Sequence, residues 1–358
     1  MHQPSRMSTP VATRARGPLV GLAVLLVAIA ASASQPSSPA APDPFEFFHP
    51  QVSVSPPERA RLDRGETLVK SVSPVDGQVA IFSAARTQVD GDRLVRWVRR
   101  VDAMKRGRYV SHVVRFSDPP RLDDLRALDL DADDLDALRQ CRPGSCGLKL
   151  NDSEMTRLSA LARARRPGWQ GEVQQAFRTA LLERTETYLA SGFAGTAALR
   201  DREAPVVLAN EFQGLLAQTS FLPQSAPSLA SFFVRFPQER SPAIESFLYW
   251  SKEQIGRKPL ISITHVAIQR PTRGPDVIVA SRQIYATHYV SGSIAVTAIV
   301  GERGSGPHYL AYFNRSRVDV LDGFFGGLVR RIVERRLRDE AGDIVAALRT
   351  RLEAGEPE

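Results

Sequence analysis

Between Ser246 and Asn314 apolar residues recur at close to every second position, in five runs broken by short segments containing Pro, Gly or Ser. That period is the signature of strands, and the short breaks suit hairpins. The pattern predicts strands over Phe247–Lys252, Leu260–Arg270, Val277–Tyr289, Ser293–Val300 and Tyr309–Asn314, paired as an antiparallel meander. Val79–Val89 and Tyr109–Phe116 read as two earlier strands. Between them Leu94, Trp97, Val98 and Val101 share one face of a helix over Asp90–Met104. After Ser117-Asp-Pro-Pro120 the period changes, and Leu122 to Phe236 reads as helical. Asn151 and Glu154 have capping-box spacing, and Glu172–Ala190 is an amphipathic helix closed by Gly192. Shorter helices are predicted over Pro205–Ala217 and Ser228–Phe236. The chain then ends in one long helix, Val320 to Glu353, with an apolar stripe through Leu321, Phe325, Leu328, Ile332, Ala341, Val345, Leu348 and Leu352.

The short connections suggest a register. A loop around Arg273-Gly274 sets Ile263 opposite Ile284, and a turn near Ser291 sets Ala286 opposite Val296. One sheet face then collects Ile261, Ile263, Ile284, Ala286, Ile294, Val296, Ala298, Val300, Tyr309, Ala311 and Phe313. The other collects Ser262, Thr264, Ser281, Gln283, Thr287, Ser293, Thr297 and Asn314, as a half-buried sheet requires. Three polar residues fall on the apolar face: His265, Arg282 and His288. A buried charge is costly unless paired. Two readings stay open. The three hold a polar or anionic head group, or Arg282 meets a carboxylate and the histidines are satisfied core residues.

Composition narrows the class. The 358 residues are 43% hydrophobic and 24% charged, which suits a folded globular chain. Arg6, Arg14 and Arg16 precede an apolar stretch, Gly17 to Ala31, and Ala31-Ser32-Ala33 fits a cleavage site, so residues 1–33 read as a signal peptide. The apolar run is shorter than the roughly 20 residues of a membrane span; an uncleaved N-terminal anchor is the alternative. Residues 34–57, rich in Ser, Pro and Ala, read as a linker. The destination is periplasmic or extracellular, and Cys141 and Cys146 in CRPGSC are expected to form a disulfide there.

The formal charge of +8 falls by three, to +5, without the leader arginines. The 42 arginines against five lysines are a compositional bias. With no zinc knuckle, basic reading helix or RNA-stacking motif, nucleic acid is not an expected partner. Catalytic signatures such as GxSxG, Walker A, HExxH and GxGxxG are absent. GERGSG at 301–306 reads as a hairpin loop. DLDADD at 129–134 lacks the glycine and the final acid of a calcium loop. No cofactor, metal or catalytic residue is therefore expected. In YWSKE at 249–253, Lys252 and Glu253 read as a solvated pair and Trp250 as packed.

The order strand, helix, strand, helical insertion, antiparallel strands and a final helix GFFGGLVRRIVERRLRDEAGDIVAALRTRLE resembles the START/polyketide-cyclase (SRPBCC, helix-grip) superfamily. The resemblance covers roughly 79–118 and 247–355. It implies an α+β fold in which a curved antiparallel sheet grips the long C-terminal helix and leaves a cavity for a hydrophobic ligand. Residues 58–118 and 247–355 would form this domain, with 119–246 as a helical insertion. The candidate ligand-binding residues are His265, Arg282, His288, Tyr309, Phe313, Phe324 and Phe325. Gly323, Gly326 and Gly327 would give the helix start room to approach. Arg330, Arg331, Arg335 and Arg336 would lie on the wet side and can face an anionic membrane surface. The expected function is an exported carrier of a hydrophobic or amphipathic small molecule. The alternatives are a cyclase or hydrolase using His265 or His288 as base, and an envelope interaction module.

Overall fold

In the computed structural model, the described residues are 43–355 apart from 74, 76, 302–306 and 323–325, together with the backbone but not the side chains of 322, 326–329, 332 and 336. The leader, most of the GERGSG loop, Phe324 and Phe325 thus lie outside the described residues.

The alternating runs become strands. In chain order, α1 (Pro56–Asp63), β1 (Thr67–Ser71), β2 (Gln78–Thr87), α2 (Gly91–Arg99), α3 (Val101–Met104) and β3 (Val110–Arg115) come first. The helical segment follows with α4 (Ala132–Leu138), α5 (Asp152–Ala164), α6 (Trp169–Ser191), α7 (Leu208–Ala217), α8 (Phe221–Ser225) and α9 (Pro227–Arg235). Strands β4 (Ile244–Glu253), β5 (Leu260–Gln269), β6 (Val277–Ala286), β7 (Val290–Val300) and β8 (His308–Val318) lead to α10 (Gly326–Ala354). The protein is α+β. One open, curved antiparallel sheet of eight strands runs β1-β2-β8-β7-β6-β5-β4-β3.

Register differs from expectation in an instructive way. Thr264 faces Gln283 and His265 faces Arg282, but a bulge between Ile263 and Thr264 sets Ile263 against Tyr285, not Ile284. Across β6 and β7, Ala280 rather than Ala286 faces Val296. The chain turns earlier than Ser291, at Tyr289, which takes a positive φ of 63°. The displacement of six residues is even, so Val277–Arg282 and Ile294–Ile299 stay on their expected faces, while the bulge turns Tyr285 to the face of Ile263 and sets Ala286 opposite Ser262.

Both faces are covered. Ile263, Val296, Ala298, Tyr309, Ala311 and Phe313 pack with residues of the helical segment such as Phe177, Leu181 and Tyr188. On the opposite face Ala85, Val279, Ile299 and Leu310 pack with Leu94 and Trp97 of α2 and with Val345 and Leu352 of α10. The C-terminal helix therefore lies against β1, β2 and β8, behind the sheet from His265, Arg282 and Phe313. Those three face the insertion.

The expected linker also differs. From Asp43 onward it is folded: Phe45 and Phe48 are fully buried, and the Gln51 side chain accepts a hydrogen bond from Phe221 N–H at 3.0 Å. Its Ser and Pro residues start a helix instead. Ser55 and Glu58 form a capping box ahead of Pro56 and Pro57 in the first turn of α1. The predicted helix 90–104 breaks at Arg100 into α2 and α3.

Cys141 and Cys146 form the disulfide. Gly144 N–H donates to Arg200 C=O at 2.7 Å and Cys146 N–H to Asp201 C=O at 3.0 Å, which pins the small loop to the 200–201 backbone. Such bonds persist in oxidising compartments. Among the described residues no helix is long and apolar enough to cross a membrane.

Candidate functional site

The cross-strand pair His265 and Arg282 sits at the centre of the insertion-facing side, and both side chains are buried. Tyr188, on the last turns of α6, reaches down between them. Arg282 Nε donates to the Tyr188 hydroxyl at 2.7 Å, and that oxygen lies 2.7 Å from His265 Nδ1. Arginine has no acceptor, so Tyr188 accepts from Arg282; giving its one phenolic proton to Nδ1 selects the tautomer in which His265 carries its own proton on Nε2. Arg282 Nη1 also donates to Phe233 C=O. Two buried nitrogens remain without a partner, the donor Arg282 Nη2 and His265 Nε2.

The walls are aromatic. Tyr188, Phe193, Phe212, Phe233 and Phe236 all place a ring centroid within 6.0 Å of Arg282 Cζ. His265 lies edge-on to Phe236 with centroids 4.5 Å apart. Such faces attract a cation, by about 0.5–2 kcal/mol each, but they accept no N–H strongly. Among the described residues no carboxylate pairs with Arg282. Burial accordingly lowers the pKa of Arg282, and burial pushes Tyr188 up to about 12. Burial first, and then the charges of Arg282 and Arg240, hold His265 well below its ordinary 6.5. The histidine is neutral and the arginine is an uncompensated buried cation.

Gly192 explains how α6 ends where it does. Its φ is +62°, and a Cβ there would stand 2.1 Å from Phe236 C=O. A left-handed residue without a side chain lets the helix end close onto the Phe236 backbone, which brings Tyr188 and Phe236 into stacked contact at 5.3 Å.

His288, Tyr309 and Phe313 lie elsewhere and are engaged. His288 Nε2 is 3.0 Å from Asp134 Oδ2, and Lys258 Nζ pairs with Asp134 Oδ1 at 2.6 Å. Burial opposes ionisation of Asp134, but the hydrogen bonds and charges of His288 and Lys258 outweigh it and lower its pKa. Tyr309 donates to Asp63 at 2.5 Å, and its ring centroid is 5.1 Å from that of Phe45. Phe313 packs on Phe221 at 5.0 Å. Lys252 and Glu253 do not pair, because neighbouring strand residues point to opposite faces. Lys252 bonds Asp129 at 2.7 Å, and Glu253 bonds Lys105 at 2.7 Å. Arg331 and Arg335 are exposed, but Arg330 turns inward to the carbonyls of Gln78 and Val75.

The aromatic wall and Tyr188 were not singled out in the sequence. They come from three helices and a turn, and no spacing along the chain announces that they converge. Two surface depressions, of about 390 Å³ beside Asp90 and Glu353 and about 290 Å³ beside β3, include none of the predicted ligand residues. Comparison of the chain with protein-family models, with curated proteins and with solved structures finds no match.

Proposed function

We propose that this is an exported, periplasmic protein that binds an acid-bearing hydrophobic or amphipathic molecule. Its anionic head is seated against Arg282 and His265, between the sheet and the helical insertion. The ligand class is the one the sequence suggests; the place moves from the α10 side of the sheet to the opposite face. One observation carries the reading. Arg282 is buried, has no carboxylate partner among the described residues and keeps an unpaired N–H, beside the unpartnered Nε2 of His265. A buried cation without a counter-charge costs free energy that an incoming anion recovers. Aromatic walls suit an apolar tail. At the end of α9 Val234 is exposed, and the exposed Arg240 stands 5.8 Å from the Phe236 ring. The resemblance to the helix-grip superfamily agrees with a hydrophobic ligand.

Calorimetry with laurate and with dodecanol, a matched chain without the acid, tests this. Laurate is expected to bind and dodecanol to bind at least 10-fold more weakly. Arg282→Met is expected to abolish the difference. Equal binding of the two, or binding of neither with nothing extracted from protein purified from its native compartment, overturns the reading.

A further inference from the structure

The far edge of the sheet lies away from Arg282. Strand β3 is the terminal strand. Phe116 N–H donates inward to Leu248 C=O at 3.0 Å. Antiparallel alternation therefore turns the backbone N–H and C=O groups of Val113 and Arg115 outward, and among the described residues nothing pairs with them. The opposite edge is managed differently: β1 is flanked by α1, and its Lys70 bonds Ser53 C=O at 2.8 Å. Beside β3 the surface instead forms a trough of about 290 Å³ lined by Asp102, Arg106 and residues 110–114. The buried His112 Nδ1 at this trough has no partner.

Charge says what the trough takes. Asp102 in the lining is paired with Arg100 at 3.5 Å, and from Lys105 to Phe116 the chain carries four basic residues and no acid. Lys105 is neutralised by Glu253, while Arg106, Arg108 and Arg115 are exposed along the strand and its approach. A second copy pairing through β3 would set these arginines against their own counterparts, and like charges across a ribbon are unfavourable. We infer that β3 accepts an extended segment of a partner protein carrying alternate acidic side chains, added as a ninth, antiparallel or parallel strand. Main-chain bonds to Val113 and Arg115 supply affinity, and the arginines select for acids.

The test uses an acetylated, amidated peptide of alternating glutamate and valine and its lysine counterpart, with amide exchange read by NMR. The glutamate peptide is expected to slow exchange at Val113 and Arg115 by 10-fold or more, and the lysine peptide to leave it unchanged. Val113→Pro removes an outward donor while sparing the inward ladder, and is expected to abolish the protection. Should that variant fold poorly, Arg106→Glu with Arg108→Glu leaves the strand backbone intact and is expected to reverse the peptide preference. Equal protection by both peptides, protection by neither, or protection without peptide that rises with protein concentration alongside a dimer mass would each overturn the inference.

Discussion

His265 on β5 and Arg282 on β6 are direct cross-strand partners, and both hydrogen bond to the single hydroxyl of Tyr188. Two groups able to carry positive charge thus share one neutral oxygen in a buried, aromatic setting. The arrangement is tolerable because the histidine stays neutral, and it leaves the arginine charge unanswered among the described residues.

The members of this triad should therefore respond differently to truncation. Tyr188→Phe strands both Arg282 Nε and His265 Nδ1, and an unsatisfied buried polar group costs about 1–3 kcal/mol. Its urea midpoint should fall accordingly. Arg282→Met removes a buried charge that has no ion-pair partner, and should leave the ligand-free protein as stable as before or more so. A loss of several kcal/mol for Arg282→Met would assign the arginine to the fold and remove the main ground for the ligand proposal.

His265 should also shape the acid side of the stability curve. Its folded pKa lies well below the ordinary 6.5, so below pH 6.5 the unfolded chain binds a proton that the folded chain refuses. Its contribution is fully present above pH 6.5 and is lost as pH falls. The slope approaches about 1.4 kcal/mol per pH unit once the unfolded histidine is protonated. His265→Asn should flatten the curve between pH 6.5 and 5 relative to wild type; identical slopes in urea titrations would show that the ring protonates in place.

The segment 43–57 should behave as core. Phe48 is fully buried between Phe82 and Phe221, with ring centroids 5.2 Å from each. Phe48→Ala should cost about 3–5 kcal/mol, and a chain beginning at Pro56 should be less stable than one beginning at Asp43. Unchanged chemical denaturation of the shortened chain would return this stretch to the status of a linker.

Reducing the Cys141–Cys146 bond should cost about 2 kcal/mol, the chain-entropy value for so short a loop. The loop is already held by backbone bonds to Arg200 and Asp201, so the loss should not exceed that. Thermal melts of Cys141→Ser/Cys146→Ser at neutral pH measure it directly.

Much of the sheet was legible because a side-chain period of two depends on local alternation alone. Even the misplaced β6–β7 turn kept Arg282 and Ile294 on the expected face, since its error was an even number of residues. Strand β1 escaped notice because five residues, TLVKS, bury one side chain fully and gain strand character from pairing with β2. The final helix was equally plain from its apolar stripe. Sequence by itself thus determined which residues of each strand share a face up to the bulge opposite Ile263 and Thr264, and that His265 and Arg282 stand among apolar neighbours.

Tertiary structure decided which layer covers that face. Either long helical element, α10 or the insertion, has an apolar side able to pack on a sheet, and periodicity does not say which of the two sheet faces it meets. The chain path settles it: α10 returns over β1 and β2, while α6 and α9 descend on β5 and β6. Only then do Tyr188 and four phenylalanines, far apart in the chain, close around one arginine and leave its charge without a counter-ion.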